Sequence, residues 1–563
     1  MIEIKKFTIP AAITPSFDRF SDKLALANVD GIGLSYSELR SKINSITSFL
    51  IDQGIKKGDR VAILCDNQPN WGVAYLSITF MGAVAVPIMT EFRDADVHHI
   101  LRHSGSKAIF ISEKFLDKLS ELEGSELQTV ILVEDMSIIP LNEGLDLISK
   151  VIKEGKKELS KALSAAMKMA GLTNFTPEEE DLAAIVYTSG TTGHSKGVML
   201  THKNIVSDVK ASIELVSVTD EDRMLSILPL AHTMECTLGL ILPLVVGLTV
   251  HYLMKPPTAA YLLPALQKVK PTFMLSVPLV IEKIYRMRIL PEINRKKIVK
   301  SLYKVPFVRK KIHQAAGKKL LQTFGGKLKM FCIGGAALSE DTELFLHESG
   351  FPYAIGYGLT ETSPLVTGED NRKTKLRAAG RPLKGVEIKI DNPDPETGEG
   401  EVLIKGPMVM KGYYKNPEVT REVLPGDGYF RSGDLGILDD EGYLYIKGRL
   451  KNVIIGPNGK NLYPEEIESH INAMPYVLES LVYEREGKII GRVHFNYDEL
   501  DKEFNIHKLS EVEAQKIING LLNNILSGVN EKVPSYSKLN KVIEQPEEFE
   551  KTPTKKIKRY LYT

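Results

Sequence analysis

Short apolar runs of strand composition alternate along this chain with segments whose apolar residues recur at helical spacing. That alternation narrows its possible folds more than any other feature. RVAILCDN (60–67), AVAVPI (83–88), KAIFIS (107–112) and TVILVED (129–135) are strand-like, while 36–53 and 71–81 between them are helix-like. Strand–helix alternation needs crossover connections, and these produce a largely parallel sheet covered by helices. The pattern resumes with AAIVYTS, TVHYL, TFMLSVP, KMFCIG and YAIGYG after a Lys/Glu-rich stretch within 140–180 that reads as a helical surface insertion. Past residue 380, DNPDPETGEGEVLIKG and LDDEGYLYIKGR are turn-rich hairpin sequences, which predict an antiparallel part. Strands near 452–455, 480–484 and 489–495 mixed with helices near 464–473 and 510–527 predict a final α+β domain. The expectation is an α/β protein. Residues 1–448 form a large N-terminal domain of helix-covered sheets with a β-rich portion, and residues 449–563 a small mobile α+β domain.

Several classes of protein drop out on composition. Lys plus Arg number 72 against 71 Asp plus Glu, so the basic excess of a dedicated nucleic-acid binder is missing. With 563 residues the chain buries an ample core without staples, and Cys65, Cys236 and Cys332 lie too far apart in sequence for a CxxC pair. Neither a disulfide scaffold nor a zinc cluster is expected, and a reducing, cytoplasmic setting fits. The N-terminal MIEIKKFTIPAAITPSF lacks an apolar core of signal-peptide length. Residues 236–254 are uncharged, but Gly239, Pro243, Gly247 and His251 interrupt them, so they read as a buried helix–turn–strand rather than a membrane span.

The strongest chemical signal is YTSGTTGHSKGVML (187–200), set between a strand-like run and a helix-like segment. Glycines let main-chain N–H groups approach an oxyanion, Thr188, Ser189, Thr191 and Thr192 add hydroxyl donors, and Lys196 adds charge. A Gly/Ser/Thr-rich surface loop is the plainer reading of such a composition. Ser195, not glycine, stands immediately before Lys196, and Gly197 stands where a P-loop carries Ser or Thr, so kinase and ordinary NTPase loops are absent.

TSGTTGxxKG resembles the signature loop of the adenylate-forming superfamily, whose members include acyl-CoA synthetases, luciferases and nonribosomal-peptide adenylation domains. PLAHTMECTLG (229–239), GGAALSED (334–341), GYGLTETSP (356–364), YFRSGDLG (429–436), GRLKNVIIGPNGKNLYPEEIE (448–468) and KTPTKKIKR (551–559) follow in that family's order. The resemblance implies nucleotide contacts from Thr188, Ser189, Gly190, Thr191, Thr192, Gly193, Lys196, Gly335, Ala336, Tyr357 and Gly358. It further implies that Tyr357 stacks on adenine, Thr360 meets the α-phosphate, and Glu361 with Thr188 holds Mg²⁺ alongside ATP. Asp434 and Arg449 would take the ribose hydroxyls. His232 would lie between acyl pocket and α-phosphate, Lys451 would be the hinge, and Lys556 would bridge carboxylate and phosphate oxygens during adenylation. Three positions depart from the family pattern: Ser195 for proline, Lys555 for the glycine beside Lys556, and Asn452 for an acid.

NQPNWGVAYLSITFMGAVAVPI (67–88) and SVPLVIEKIYRMRI (276–289) look most like long-chain acyl-CoA synthetases. The implied reaction takes ATP, a long-chain fatty acid and CoA to acyl-CoA, AMP and pyrophosphate. Acyl carrier protein as acceptor, or a silent binding homologue, are the alternatives. One charge feature stands apart: residues 286–329 hold 14 Lys or Arg and one acid, Glu292. Such a run is either a solvated face or a dock for an acidic partner, whether an anionic membrane, acyl carrier protein or the phosphates of CoA.

Overall fold

The computed structural model describes residues 3–140, 176–188, 195–294, 302–455, 461–552 and 556–563. By the density of contacts the chain divides into two compact units. The first comprises residues 1–337, 344–388 and 404–430, and the second 338–343, 389–403 and 431–563.

The first unit is α/β and holds two large sheets where the alternation alone suggested one kind of layer. One sheet runs, in spatial order, Tyr353–Ile355, Met330–Ile333, Phe273–Ser276, Arg223–Ser226, Thr249–Tyr252, Leu24–Asn28, Gly33–Ser35. Every pairing in it is parallel except the last, where Gly33–Ser35 folds back on Leu24–Asn28. The other sheet runs Gly412–Tyr413, Lys196–Thr201, Leu182–Thr188, Val84–Pro87, Arg60–Leu64, Ser106–Ile111, Thr129–Leu132, Ile138–Pro140. Its middle is parallel and its two margins antiparallel. Strands buried on both faces explain the unbroken apolar runs, since Val61, Ala62, Ile63 and Leu64 are all fully covered.

Helices cover these sheets where the apolar spacing calls for them. Tyr36–Asp52 opens on a capping box of Ser35 and Glu38 and turns Leu39, Ile43, Ile46 and Leu50 inward. Residues 233–252 form the expected buried helix–turn–strand. Thr233–Cys236 passes through a π turn at Thr237–Ile241 into Leu242–Val246, Gly247 reverses the chain at φ +99°, and Thr249–Tyr252 is a strand. A Cβ on Gly247 would lie 2.2 Å from the Phe20 ring, so only glycine fits there. Among the described residues no helix is long and apolar enough to cross a membrane.

The second unit is α+β. Val477–Arg485 and Lys488–Phe495 pair antiparallel, and Lys541–Glu544 joins in parallel. Helices Pro464–Asn472 and Glu511–Asn530 pack on that sheet through Ile467, Ile471, Leu522, Ile525 and Val529, against Val482, Val493 and Phe495. A four-stranded sheet with most of its residues in this unit contains the two hairpins read from the turn-rich sequence. Its order is Glu387–Asp391, Gly400–Lys405, Phe430–Leu438, Leu444–Arg449. The insertion read within 140–180 lies mostly outside the described residues.

Candidate active site

Parallel sheets present functional loops beyond the carboxyl ends of their strands, and in the seven-stranded sheet those ends carry the sequence motifs. Ile227–His232 follows the strand Arg223–Ser226, Gly334–Ala337 follows Met330–Ile333, and the GYGLTETSP segment follows Tyr353–Ile355. Gly334 N–H donates to the Ser276 carbonyl (3.1 Å) and Gly356 N–H to that of Ile333 (3.0 Å), so both loops leave the sheet in register. Close approach explains two glycines here. A Cβ on Gly334 would come within 3.0 Å of Met234 Sδ, and one on Gly358 within 1.8 Å of the Pro364 carbonyl oxygen. Gly335 has φ +86°, and Ala336 beside it is exposed.

Residues 360–362 form a single tight turn whose frame is fully bonded. Thr362 Oγ1 accepts from Leu359 N–H (2.9 Å), Ser363 Oγ donates to the Met408 carbonyl (2.9 Å), and Leu365 N–H donates to buried Asp208 (2.6 Å). Tyr357, Thr360 and Glu361 remain half-buried on this frame, within reach of a ligand. His232 caps the Thr233–Cys236 turn, its Nδ1 accepting from Met234 N–H at 3.2 Å, which fixes the ring. Asn67 accepts from Leu230 N–H (2.8 Å) and so holds the loop that carries His232.

The glycine-rich motif joins two adjacent antiparallel strands of the eight-stranded sheet, with Thr188 opposite Lys196 and Tyr187 opposite Gly197. Ser189, Gly190, Thr191, Thr192 and Gly193 lie outside the described residues. Tyr413, which the sequence did not single out, links this loop to the GYGLTE turn. Lys196 Nζ sits 5.3 Å over its ring, and its hydroxyl donates to Glu361 Oε1 at 2.9 Å. Met410 N–H also donates to the Glu361 carbonyl (2.8 Å), and Tyr414 N–H to that of Gly197 (2.8 Å). The chain between them therefore ties cation, carboxylate and hydroxyl into one cluster.

Two acids in this unit were missed. Asp208 is fully buried, and desolvation pushes its carboxyl well above the usual range despite bonds from Leu365 N–H and Ser212 Oγ. Glu235, three residues after His232, is buried, and neither of its carboxyl oxygens has a hydrogen-bond partner. Burial pushes its pKa up to about 8; the nearby Ser226 hydroxyl offsets a little of that without reaching hydrogen-bond geometry. Glu235 stands as a lone acid in an apolar stretch, whereas the helix of Asp208 also carries Lys203, Lys210 and Glu214, so no sequence signal marks Asp208.

The second unit carries the remaining motif residues. Asp434 and Arg449 are cross-strand partners in register, with Arg449 Nε 2.7 Å from Asp434 Oδ1. Asp434 is buried, and its N–H donates to Ser432 Oγ (3.0 Å). Lys451 is exposed on the Leu450–Asn452 turn, where Asn452 donates to Glu465 at 2.6 Å. Lys556 is exposed next to Ile557, which pairs with Lys551 and packs on Leu481, Tyr483 and Phe549. Lys555 lies outside the described residues.

The AMP-binding enzyme family model matches residues 14–414. The chain belongs to that family. The coarse activity that follows is adenylate-forming acyl ligation. Among curated relatives, the chloroplastic long-chain-fatty-acid–[acyl-carrier-protein] ligase AEE15 of Arabidopsis thaliana is 28% identical over 86% of this chain and 76% of its own. The long-chain-fatty-acid–CoA ligase FadD15 of Mycobacterium bovis is 29% identical over 82% and 77%. ATP-bound MatB from Rhodopseudomonas palustris superposes with TM-score 0.74 at 25% identity, covering 98% of both chains. The Bacillus subtilis o-succinylbenzoate CoA synthetase MenE, solved with ATP and a magnesium ion, gives 0.74 at 23% over 98% of both.

Proposed function

We propose that this enzyme is a long-chain fatty acid–CoA ligase, and the observation that carries the reading is the Lys196–Tyr413–Glu361 cluster beside Thr360. A lysine at the end of a glycine-rich loop, a hydroxyl and one carboxylate suit a triphosphate with its cation. Among the described residues no three His, Cys, Asp or Glu side chains gather to hold a metal by themselves. A lone carboxylate sharing Mg²⁺ with phosphate oxygens fits that donor set, with Glu361 and Thr188 as its protein ligands. Bound there, Mg²⁺ would offset phosphate charge as pyrophosphate departs.

In the first half-reaction a carboxylate oxygen of the fatty acid attacks the α-phosphorus. The α–β bridging bond breaks, and acyl-AMP and pyrophosphate form. Lys196 and the main chain of 188–193 hold the phosphates, Gly335, Ala336, Tyr357 and Gly358 seat the base, and Asp434 with Arg449 takes the ribose. Thr360 and Lys556 stabilise charge building on the α-phosphate, and His232 lies where acyl chain and phosphate meet. Residues 449–563 then turn about Lys451, a movement that keeps water from the mixed anhydride. In the second half-reaction the thiolate of CoA attacks the acyl carbon and AMP leaves.

The names of the relatives support a long-chain acid and divide over the acceptor, one naming acyl carrier protein and another CoA. AMP release from MgATP and palmitate, with and without CoA, tests the reading. CoA-stimulated turnover supports it. A single-turnover burst that CoA does not extend points to carrier protein, and no AMP from any long-chain acid refutes it.

A further inference from the structure

Among the described residues of the first unit, most of the exposed large apolar side chains gather in and just before the basic stretch. Eight large apolar side chains of the first unit stand well exposed among its described residues. Five of the eight, Leu279, Met287, Leu302, Val305 and Phe307, fall within residues 279–307. Lysine runs alone are ordinary solvated faces and single exposed apolar residues are ordinary too, but five gathered in one short segment, with Phe307 72% exposed, are not scattered singly.

The arrangement is built rather than loose. The helical run of residues 278–294 and the helix Pro306–Thr323 both turn inward onto buried Phe345, whose ring centroid is 5.1 Å from those of Tyr285 and His313. Arg309 makes a two-pronged bond to Glu348 (2.7 and 3.1 Å), and Tyr303 hydroxyl lies 2.6 Å from His313 Nε2. These contacts fix the start of the second helix, so Leu302, Val305 and Phe307 project outward from a rigid base. Lys304, Lys310 and Lys311 surround them, with Lys311 Nζ 5.8 Å over the Phe307 ring, while Lys283 and Arg288 accompany Leu279 and Met287.

We propose that this face docks on an anionic lipid bilayer. The five apolar side chains would enter the boundary between headgroups and acyl chains, and the surrounding Lys and Arg would meet lipid phosphates and carboxylates. Exposures of 47–72% belong to projecting side chains, not to the walls of a groove, so a fluid layer closes around them better than a fixed protein surface would. Charge complementarity supports the same partner: among the described residues of 279–311, Lys283, Arg286, Arg288, Lys304, Arg309, Lys310 and Lys311 outnumber Glu282 and Glu292, with Arg309 engaged by Glu348. The proposal rests on this surface alone and is tested without substrate, so it stands or falls separately from the acyl and acceptor assignments.

The test is sedimentation of the full chain with vesicles of phosphatidylcholine, with and without about 30% phosphatidylserine, at about 0.05 M and about 0.5 M salt. Binding to the anionic vesicles alone, lost at high salt, is the expected result. Replacing Lys304, Lys310 and Lys311 by Ala should weaken it about a hundredfold, at roughly fivefold per charge. Phe307→Ser with Val305→Ser should weaken it by roughly tenfold or more while keeping the salt dependence. All these positions are exposed, so the variants should melt like the parent. Absence of binding, equal binding to neutral vesicles, or variants that bind like the parent would each overturn the proposal. Retention by purified acyl carrier protein with no vesicle binding would assign the face to that protein instead.

Discussion

Glu235 offers a test of how dry the interior beside His232 is. Its carboxyl is buried without a hydrogen-bond partner, and its pKa rises from 4.5 to about 8 because desolvation penalises the charged form. Below pH 4.5 the group is protonated in both folded and unfolded chains and has no effect on the pH dependence. Above that the unfolded chain loses the proton while the folded chain keeps it, so stability falls by about 1.4 kcal/mol per pH unit. Between 4.5 and about 8 the fall accumulates to about 5 kcal/mol as a ceiling, and it then levels off. Glu235→Gln removes the titration at nearly constant shape. The buried amide carries a penalty of about 1–3 kcal/mol, but this does not vary with pH. The variant should therefore gain on the parent steadily from pH 5 to 8. Trp71, the only tryptophan, is fully buried and stacks on Tyr75 at 5.4 Å, so its fluorescence reports urea unfolding of the first unit. Parallel midpoint–pH curves for parent and variant would refute the reasoning and mean that water or a counter-charge reaches this carboxyl.

Three further outcomes follow from the site. Lys556→Ala should slow AMP formation by about 10²–10³ while Lys555→Ala stays within a few-fold of the parent, measured as pyrophosphate release. Tyr413→Phe removes the 2.9 Å bond to Glu361 and should raise the Mg²⁺ concentration needed for half-maximal rate by roughly tenfold, read from Mg²⁺ titrations at fixed ATP. Gly358→Ala would put a Cβ 1.8 Å from the Pro364 carbonyl oxygen, so the GYGLTE turn must shift. Nucleotide binding by that variant should fall beyond detection in calorimetry, whereas Gly350→Ala, a surface glycine with open space around it, should leave it intact apart from a small stability loss.

Much of the fold was legible because strand–helix alternation is a local signal. The runs at 60–67, 83–88, 107–112 and 129–135 became the strands Arg60–Leu64, Val84–Pro87, Ser106–Ile111 and Thr129–Leu132. What alternation could not convey is which strand joins which sheet. Leu24–Asn28 pairs with Thr249–Tyr252, across more than two hundred residues, while Arg60–Leu64 shortly after it enters the other sheet. Sheet choice is decided by packing between distant segments, which leaves no periodicity in the sequence. The short strands Gly412–Tyr413 and Ile138–Pro140 were invisible for a related reason, since two or three residues cannot display a period of two.

The candidate site shows the same division between contiguous and assembled features. Motifs made of neighbouring residues, such as GYGLTE and SGDLG, were legible because each is a contiguous run that resembles a motif of the adenylate-forming family and follows in that family's order. Tyr413 was not, although it touches both Lys196 and Glu361, because its importance lies in a strand pairing that brings Gly412–Tyr413 beside Val198 and Met199. The same pairing explains why the cluster is rigid enough to matter. Tyr413 is held by the sheet on its main-chain side, and Glu361 is held by Met410 N–H, so the bond between them costs little further ordering. On the proposed reading, a carboxylate placed in advance in this way would meet a triphosphate and its cation without waiting for a loop to settle. The edge strand would then belong to the nucleotide site together with the glycine-rich loop it borders.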